Sequence, residues 1–558
     1  MKLFFMIDKI LKSGIAAALV WVAAMPAFGR DVASYAISEA PKHEMRGAWV
    51  ATVYGIDWPS KTGVTSAVAE EQKRELREIL DKLKNAGLNA VMFQVRSMSD
   101  AMYASSYEPW SAYLTGERGV APAKGWDPLA FAVEETHKRG MELHAWVNPF
   151  RLANGAAPAP EYAAKGKGVF SPQEKGWVIS YSKTEKGAAP ARRKGKKGRR
   201  AKSVAAKRRT VSILNPGHPG ARKHIVDVCR EIVRNYDVDG LIFDDYFYPD
   251  GLPLGSGYDY TQWKKECVAS DGKEAMSQAD WRRENVAKTV KAVGDMLAEE
   301  RPWVRFGISP AGVGGGNGKA TERFGLNPPS VGSDWMYDRI FCDPLSWLAD
   351  GSVDYVSPQI YWSSDHATNP YIPIACWWED VALHFGRHCY PSQKVLAKAA
   401  GPEAWEEQEL QVKTNRRNCT GSDAGSVFYS TAHLSGKKAR GLGEHLRKHC
   451  YNTPALMPPM PWKKAENPGA VKDLERRGSV LSWYPANEMR YVVYAVPESL
   501  SPLDVISGSG ANFMAEYIVA VTYGHSVTLP SDKLSGYWYA VAPYDRYGNE
   551  WEASIIDD

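Results

Sequence analysis

The sequence is poor in the features that mark metal-binding, lipid-anchored and nucleotide-binding proteins. Its seven cysteines lie at irregular spacings that match no zinc motif, and the odd count leaves at least one thiol unpaired or intermolecular. The first of them is Cys229, which excludes a lipid-modified cysteine near the N-terminus. The first predicted strand runs into VATVYGIDWPS, which is not the glycine-rich turn of a dinucleotide-binding fold. We therefore expect no metal and no organic cofactor.

An excess of charge is also missing, except in one segment. The formal net charge is only +5, and residues 191–209 alone carry eleven Lys and Arg without any acid. Their Gly and Ala content predicts a disordered basic insertion, over about 183–209, that is attracted to an anionic polymer or a membrane surface. No aromatic residue interleaves the charges, so we expect no nucleic-acid partner.

Long apolar runs are limited to a short stretch at the N-terminus. Lys2, Lys9 and Lys12 precede the apolar residues 14–28, and Gly29 supplies a small residue at a cleavage position. The apolar stretch of about 15 residues is short for a membrane-spanning helix. We predict a signal peptide over 1–29, cleavage behind it, and an exported protein, periplasmic or secreted, with no stable membrane span. An uncleaved anchor is the alternative.

Strand-like and helix-like segments alternate through the next 400 residues or so. This alternation predicts an α/β fold, a (β/α)8 TIM barrel over about 40–450, with an open doubly wound sheet as the alternative. The predicted strands cover 45–53, 89–95, 142–149, 240–247, 304–312, 353–362, 394–400 and 425–434.

The pattern changes after a proline-rich linker at 451–466. Residues 467–558 read as short alternating strands separated by Pro, Gly, Asn and Ser, without a helix pattern between them. This predicts a small C-terminal β-sandwich, and YWYAVAPYDRYGNE resembles the late strands of a fibronectin type III module. We expect this tail to fold alone and the barrel to keep its activity without it.

The strongest candidates for chemistry are Asp244 and Asp245, which end the fourth predicted strand. Two acids at the end of a buried apolar run cost desolvation unless solvent or a ligand reaches them. Because barrel active sites lie at the carboxyl ends of the strands, we interpret the pair as catalytic carboxylates for glycoside hydrolysis. Successive strand residues face opposite sides, so one of the two acts and the other orients it, and a lone acid suits substrate-assisted hydrolysis.

Other polar and aromatic residues at predicted strand ends are candidates for substrate binding. Arg96 has the alternative of pairing with a barrel carboxylate such as Asp244, while Asn148 and Gln359 have the alternative of satisfying neighbouring backbone groups. Asp338, on the loop after the fifth strand, is also a candidate second carboxylate. The predicted binding residues are Trp58, Arg96, Asn148, Arg151, Tyr246, Asp338, Gln359, Tyr361 and Trp362.

Six motifs, in order along residues 45–450, resemble the family-ten-like glycosyl hydrolases, which include divisome-associated enzymes that cut peptidoglycan glycan strands. They are MRGAWVATVYGIDWP, NAVMFQVRS, HKRGMELHAWVNPFR, ILNPGHPGARKHIVDVCREIVRNYDVDGLIFDDYFYP, GISPAG and VDYVSPQIYW. The resemblance implies a (β/α)8 barrel, export and a glycan polymer as partner, namely peptidoglycan. By motif it implies Asp244 and Asp245 as the working acids, surrounded by Arg96, Asn148, Gln359 and Tyr361.

One departure concerns the seventh strand. Barrel glycosidases with an acid at strand four place a nucleophilic glutamate at strand seven, and KVLAKAAG contains none. A retaining double displacement by that arrangement is therefore in doubt. The alternatives to a peptidoglycan hydrolase are a non-catalytic cell-wall glycan-binding protein and a barrel glycosidase acting on another exported polysaccharide. Linkage, stereochemical outcome and oligomeric state stay open.

Overall fold

The computed structural model describes most of the chain after residue 39. The described ranges are 40–155, 176–185, 207–245, 247–255, 257–314, 318–395, 402–417, 424–434, 440–484, 489–501 and 513–556. The predicted signal peptide and the centre of the basic insertion lie outside them. Within these ranges no helix is both long enough and apolar enough to span a membrane.

Ten short parallel strands, numbered here along the chain, build the main sheet. They are β1 Glu44–Val50, β2 Ala90–Arg96, β3 Glu142–Val147, β7 Gly240–Phe243, β8 Arg305–Ile308, β9 Tyr355–Val356, β10 Gln359–Ile360, β11 His388–Cys389, β12 Ser392–Lys394 and β13 Ala424–Tyr429. Their order is β10-β12-β13-β1-β2-β3-β7-β8-β9-β11.

The two ends of this order meet, because β10 continues the path of β9 and β12 continues that of β11. β9 pairs with β11, β10 pairs with β12, and Ala311 beyond β8 bridges Gln359 in β10. Ten strands thus form eight strand paths round a barrel, as the alternation predicts, and the open doubly wound sheet is excluded.

Helices follow the strand paths and cover the outside of the barrel. The main ones are Ser66–Asn85, Pro128–His137, Pro219–Asn235, Tyr260–Cys267, Gln278–Glu300, Pro344–Ala349, Tyr371–His384, Pro402–Thr414 and Leu442–His449. Ser66–Asn85 begins where the side chain of Thr65 accepts a bond from the backbone of Val68, and it buries Leu76, Leu80 and Leu83. An N-cap and one apolar stripe therefore place this helix on the sheet.

The seventh predicted strand is displaced from its true position. The path lies at His388–Cys389 and Ser392–Lys394, before the predicted 394–400, of which residues 396–400 lie outside the described ranges. Ser392 and Gln393 are fully buried inside the barrel. A strand with buried polar side chains gives no apolar run, and this is why its pattern is missed.

A three-stranded antiparallel sheet stands above the end of β3. Its strands are β4 Arg151–Asn154, β5 Val178–Glu185 and β6 Lys207–Leu214, in the order β4-β6-β5. Glu185 pairs with Lys207, so residues 183–185 and 207–209 are strand and the predicted disordered insertion is too long at both ends. Cross-strand hydroxyl pairs such as Ser180 with Ser212, 2.8 Å apart, support the register.

The tail forms two antiparallel sheets. β14 Lys472–Arg477, β15 Val480–Tyr484 and β18 Ser526–Thr528 make one, and β17 Ile518–Thr522, β16 Arg490–Pro497, β19 Tyr537–Tyr544 and β20 Ser554–Ile556 make the other. Trp483 of the first sheet packs with Tyr491, Val493 and Tyr539 of the second. The predicted antiparallel sandwich is therefore present.

The tail also closes the amino-terminal end of the barrel. Arg490 forms an ion pair with Glu142 at the start of β3, and Arg546 lies 2.9 Å from Asp239, just before β7. The ring of Tyr523 stacks on His137 at 3.7 Å between centroids, and its hydroxyl donates to Asp239 over 2.9 Å. Because Glu142 and Asp239 are both only 3% exposed, the interface is a buried ionic network.

The proline-rich segment 451–466 packs on the same end of the barrel. The backbone N–H of Glu44 donates to the carbonyl oxygen of Leu456 over 2.8 Å. Trp462 and Lys463 both bind the carboxylate of Asp354 before β9, at 2.8 and 2.7 Å. These contacts argue against a flexible linker, and they argue against the expectation that barrel and tail act independently.

Candidate active site

Asp244 follows the last residue of β7 and turns toward β3. Its Oδ2 accepts a hydrogen bond from the indole N–H of Trp146 over 3.2 Å, and it accepts another from the amide nitrogen of Asn148. The side chain is only 2% exposed. Trp146 lies inside the barrel core, and its N–H serves this carboxylate. Asp244 is therefore a fixed acceptor behind the mouth of the barrel.

Asp245 turns to the other side. Its Oδ1 accepts from the side-chain amide of Gln359 in β10 over 3.3 Å, and Gln359 also donates to the carbonyl oxygen of Ser309 over 3.0 Å. Asp245 lines a cavity of about 290 Å³ at the carboxyl end of the barrel. The expectation that neighbouring acids at a strand end serve different faces agrees with this geometry.

The surroundings of Asp245 favour its protonated form. Burial, followed by the negative charge of Asp244, raises the pKa of Asp245 to about 7, against smaller opposing effects from Gln359 and Arg151. At neutral pH roughly half of the molecules then carry a proton on this carboxyl group. A carboxylic acid of this kind can donate a proton to a leaving oxygen.

The lining of the cavity combines cationic and aromatic side chains. It includes Arg151, Tyr181 and Arg209 of the three-stranded sheet, and Asp250 and Trp335. Trp335 is 37% exposed, so part of its indole is open to a ligand. Flat aromatic faces and guanidinium groups together suit a sugar that carries polar or charged substituents.

Arg96 does not face the cavity. It is 1% exposed, and its five N–H groups bond to Glu108, Ser99 and the backbone carbonyl oxygens of Asn148 and Pro149. Burial raises the pKa of Glu108, but Arg96 and His224 outweigh it and hold that pKa at about 2. These contacts disfavour the predicted role of Arg96 in binding substrate, because its donors are used within the protein, two of them in holding the loop after β3.

Trp58 is likewise not among the residues that line the cavity. It is fully buried, donates its indole N–H to the backbone oxygen of Gln72 over 2.9 Å, and packs on Phe93. The sequence places Trp58 beyond the end of β1, but the chain turns back there. The carboxylate of Asp57 accepts from the backbone N–H of Ala51, 2.8 Å away, and this turn carries Trp58 into the outer core.

The remaining residues that were predicted to bind substrate have different surroundings. Tyr361 stacks on Tyr429 of β13, with centroids 5.4 Å apart, and Trp362 is half-buried against the barrel core. Asp338 is exposed on the turn Trp335–Arg339 and is not among the residues that line the cavity, which weakens its role as second carboxylate. Tyr246 lies outside the described residues.

The sequence does not single out Asp250 and Trp335, whereas Gln94 stands beside Arg96 as a polar residue at the end of the second predicted strand. Gln94 lies behind Asn148, and Asp250 and Trp335 line the cavity. Gln94 sits at a strand end, which is the signal that selected Asn148. Asp250 and Trp335 are in loops, where no periodic pattern marks direction. Asp250 forms an ion pair with Arg339 over 2.9 Å.

Comparison with known proteins gives one family. The family model described as Glycosyl hydrolase-like 10 matches residues 44–398. Glycosyl hydrolase YngK of Bacillus subtilis is 34% identical over 426 residues, covering 75% of this chain and 74% of that protein. Glycosyl hydrolase DigH of Escherichia coli is 31% identical over 357 residues, covering 62% of this chain and 72% of that protein.

The solved structures that align with this chain have a lower sequence identity than these relatives. The PgaB glycoside hydrolase domain from Bordetella bronchiseptica has a TM-score of 0.39 and 13% identity, over 72% of this chain and 99% of that chain. The family match is the one that carries weight, and it confirms the resemblance drawn from the six sequence motifs. The chain belongs to the glycosyl hydrolase-like 10 family.

Proposed function

We propose that the protein is a glycoside hydrolase whose general acid is Asp245. One observation carries the proposal, namely a carboxyl group that opens on a cavity and has a pKa of about 7, because of burial and the charge of Asp244. Protonation of the leaving oxygen is the step that glycoside hydrolysis requires from such a group. Membership of the glycosyl hydrolase-like 10 family supports the same reaction.

Asp244 has a different task in this proposal. Its bonds from Trp146 and Asn148 favour the ionised carboxylate, because each donor stabilises negative charge. Together with burial, which is the larger effect, this negative charge keeps the proton on Asp245 at neutral pH. It also favours the positive charge that develops on the sugar ring during cleavage.

Besides the acid, the reaction needs a nucleophile. Asp250 is the other carboxylate among the residues that line the cavity, and it is held by Arg339. We propose that the 2-acetamido group of the substrate acts as nucleophile, with Asp245 as the acid, because Asp244 is already occupied by two donors. A substrate without that acetamido group is then a poor one.

The proposed substrate is the glycan strand of peptidoglycan. Arg151 and Arg209 place two cations on the wall of the cavity, and the glycan carries carboxylates that they suit. Tyr181 and Trp335 offer ring faces for the sugars. The predicted signal peptide at 1–29 would deliver the protein to the compartment of the cell wall, where we propose that it acts.

For the tail we propose a fibronectin type III module that positions the barrel. Seven strands in two antiparallel sheets of three and four, over about a hundred residues, support this assignment. Among its contacts with the barrel, the ones described lie at the amino-terminal end, away from Asp245. We therefore assign chemistry to the barrel alone.

The test uses the chain without residues 1–29, purified peptide-free glycan strands, and mass spectrometry of the products. We expect sugar release by the wild type and a loss of at least about a hundredfold in Asp245→Asn, the scale for a lost general acid. Asp338→Asn is the matched control, because it makes the same change at an exposed acid outside the cavity. Normal turnover in Asp245→Asn contradicts the assignment. Binding of glycan without any release supports instead the non-catalytic binding protein.

A further inference from the structure

The orientation of the buried amide of Gln94 is fixed by the backbone of the chain. Gln94 lies in β2 and is fully buried. Its Oε1 accepts hydrogen bonds from the backbone N–H groups of Thr52 and Val53, each over 2.9 Å. A backbone N–H group can only donate, so the atom that faces these two groups must be the amide oxygen. The amide nitrogen of Gln94 must then point in the opposite direction, away from these two groups.

That direction leads to Asn148. The Nε2 of Gln94 donates to the Oδ1 of Asn148 over 2.7 Å, which fixes the second amide in turn. The Nδ2 of Asn148 then faces Asp244 and donates to it. Asp244 also receives the indole N–H of Trp146, a group that has no acceptor function. Asp244 therefore faces two donors, and its ionised form is favoured.

The backbone of Asn148 is held as firmly as its side chain. Arg96 donates to the carbonyl oxygen of Asn148 over 2.6 Å, and the N–H of Asn148 donates to the carbonyl oxygen of Arg96 over 2.8 Å. The amide of Asn148 thus cannot turn away by a shift of the loop without breaking these bonds. Only a change in the donor behind it, Gln94, reverses its orientation.

We propose that Gln94 is a positioning residue that acts through Asn148 to keep Asp244 ionised, and so keeps the catalytic proton on Asp245. The inference rests on the proposed function, in which Asp245 is the acid. The inference goes beyond the proposed function because it names Gln94, a residue of another strand, as the reason that Asp244 is ionised while Asp245 is protonated. Gln94 itself touches neither the cavity lining nor Asp245 among the described contacts.

The decisive variant is Gln94→Glu. Its ionised carboxylate still accepts from Thr52 and Val53, but it cannot donate to Asn148. The amide of Asn148 then reverses, and its oxygen faces Asp244. This favours a proton on Asp244, and with the negative charge gone the pKa of Asp245 falls. We expect kcat at pH 7 to drop about tenfold or more, as for a lost buried hydrogen bond, with KM changed much less.

The pH profile separates positioning from a merely structural effect. The alkaline limb of kcat/KM, which reports the acid, should move to lower pH in Gln94→Glu. Gln393→Glu is the matched control, because Gln393 is an equally buried barrel glutamine that bonds to Tyr371 and Ser426. We expect this control to lose stability without any movement of the limb.

Other titratable groups lie around the two acids and stay unchanged in both variants. Arg151 acts on Asp245, and the pKa of Tyr429 is raised first by burial and then by Asp57 and Asp244, partly offset by Arg151. Cys342 also feels the charge of Asp245, after the burial that raises its pKa well above the usual value. The new carboxylate at position 94 would itself raise the pKa of both acids, so a fall in the pKa of Asp245 that is seen in Gln94→Glu alone is caused by reversal of the Asn148 amide.

A measurement without substrate distinguishes failure of this inference from failure of the proposed function. The carboxyl carbons of Asp244 and Asp245 are titrated by NMR in the folded wild type and in Gln94→Glu, with thermal unfolding as a check of folding. We expect Asp244 to gain, and Asp245 to lose, affinity for the proton. Unchanged titration of both acids overturns the inference even if the enzyme is active. A higher proton affinity of Asp244 and a lower one of Asp245 support the inference even if no glycan is cut. If Gln94→Glu does not fold, Gln94→Met replaces it, and unaltered titration there is equally decisive.

Discussion

Replacing Asp245 by asparagine should stabilise the protein while it removes the proposed acid. In the folded state the pKa of this carboxyl is about 7, whereas the unfolded chain titrates near the ordinary aspartate value of about 3.9. A group whose pKa is raised on folding contributes fully below the unfolded pKa, and its contribution is lost as the pH rises to the folded pKa. The full difference of about 3 units corresponds to roughly 4 kcal/mol above pH 7. Solvent in the cavity reduces this to about 2 kcal/mol.

Asparagine avoids this loss because it carries no charge at any pH. We expect the free energy of unfolding of Asp245→Asn, measured in urea, to exceed that of the wild type by about 2 kcal/mol at pH 8. At pH 4 the gain should nearly disappear, because the carboxyl group is then protonated in the folded wild type and protonated in about half of the unfolded chains. Asp338→Asn, an exposed acid, should show no gain at either pH. A gain in Asp245→Asn that is equal at both pH values, or absent at both, refutes the reasoning that the site holds an unfavourable charge.

Three further predictions test other parts of the structure. The value of kcat/KM should fall about tenfold for each pH unit above 7, because Asp245 loses its proton there, and a flat profile to pH 9 contradicts this. Arg490→Ala should cost about 3 kcal/mol of unfolding free energy, since it removes the nearer of the two cations that pair with the buried Glu142, whereas Arg477→Ala, at an exposed ion pair, should cost almost nothing. Deleting residues 187–206 should leave the melting temperature unchanged and weaken binding to anionic cell-wall polymer in low salt; a large drop in melting temperature would show that the segment packs.

The interface changes what we expect of the isolated barrel. Without the tail, Glu142 and Asp239 would lose Arg490 and Arg546, and they would keep Arg305 and His137 of the barrel as cationic partners. Burial raises the pKa of Glu142, but Arg490 and Arg305 outweigh it and hold that pKa at about 2. The stability from this network is present above the ordinary glutamate pKa and is lost as the pH falls toward 2. We therefore expect a barrel cut after Cys450 to be poorly soluble or unstable, which its melting curve would show.

Much of the architecture could be predicted from local patterns. Apolar runs, helix caps and turn residues act over a few positions, so the strand and helix alternation and the change of pattern after residue 466 are readable. The adjacent acids at the end of β7 are readable for the same reason. Their opposite orientation follows from the pleat of a strand.

The parts that could not be predicted depend on contacts between distant residues. Arg96 has the composition of a binding residue, and only the position of Glu108 in a loop shows that its donors are used. The pairing of Arg490 with Glu142 joins residues 348 positions apart. No period in the sequence reports such a pair. The buried polar strand at Ser392–Lys394 was missed because its packing partners are other polar groups.

The sealing of one end of the barrel gives the molecule a front and a back. The described chain enters β1 beside Leu456, and the contacts of the tail described above lie at this same end, which is the back of the molecule. Asp245 and its cavity lie at the front. A surface that holds the molecule by its back would leave the front free to meet a polymer far larger than the protein. Immobilised preparations should accordingly be coupled through the C-terminus, with no loss of access for long glycan chains.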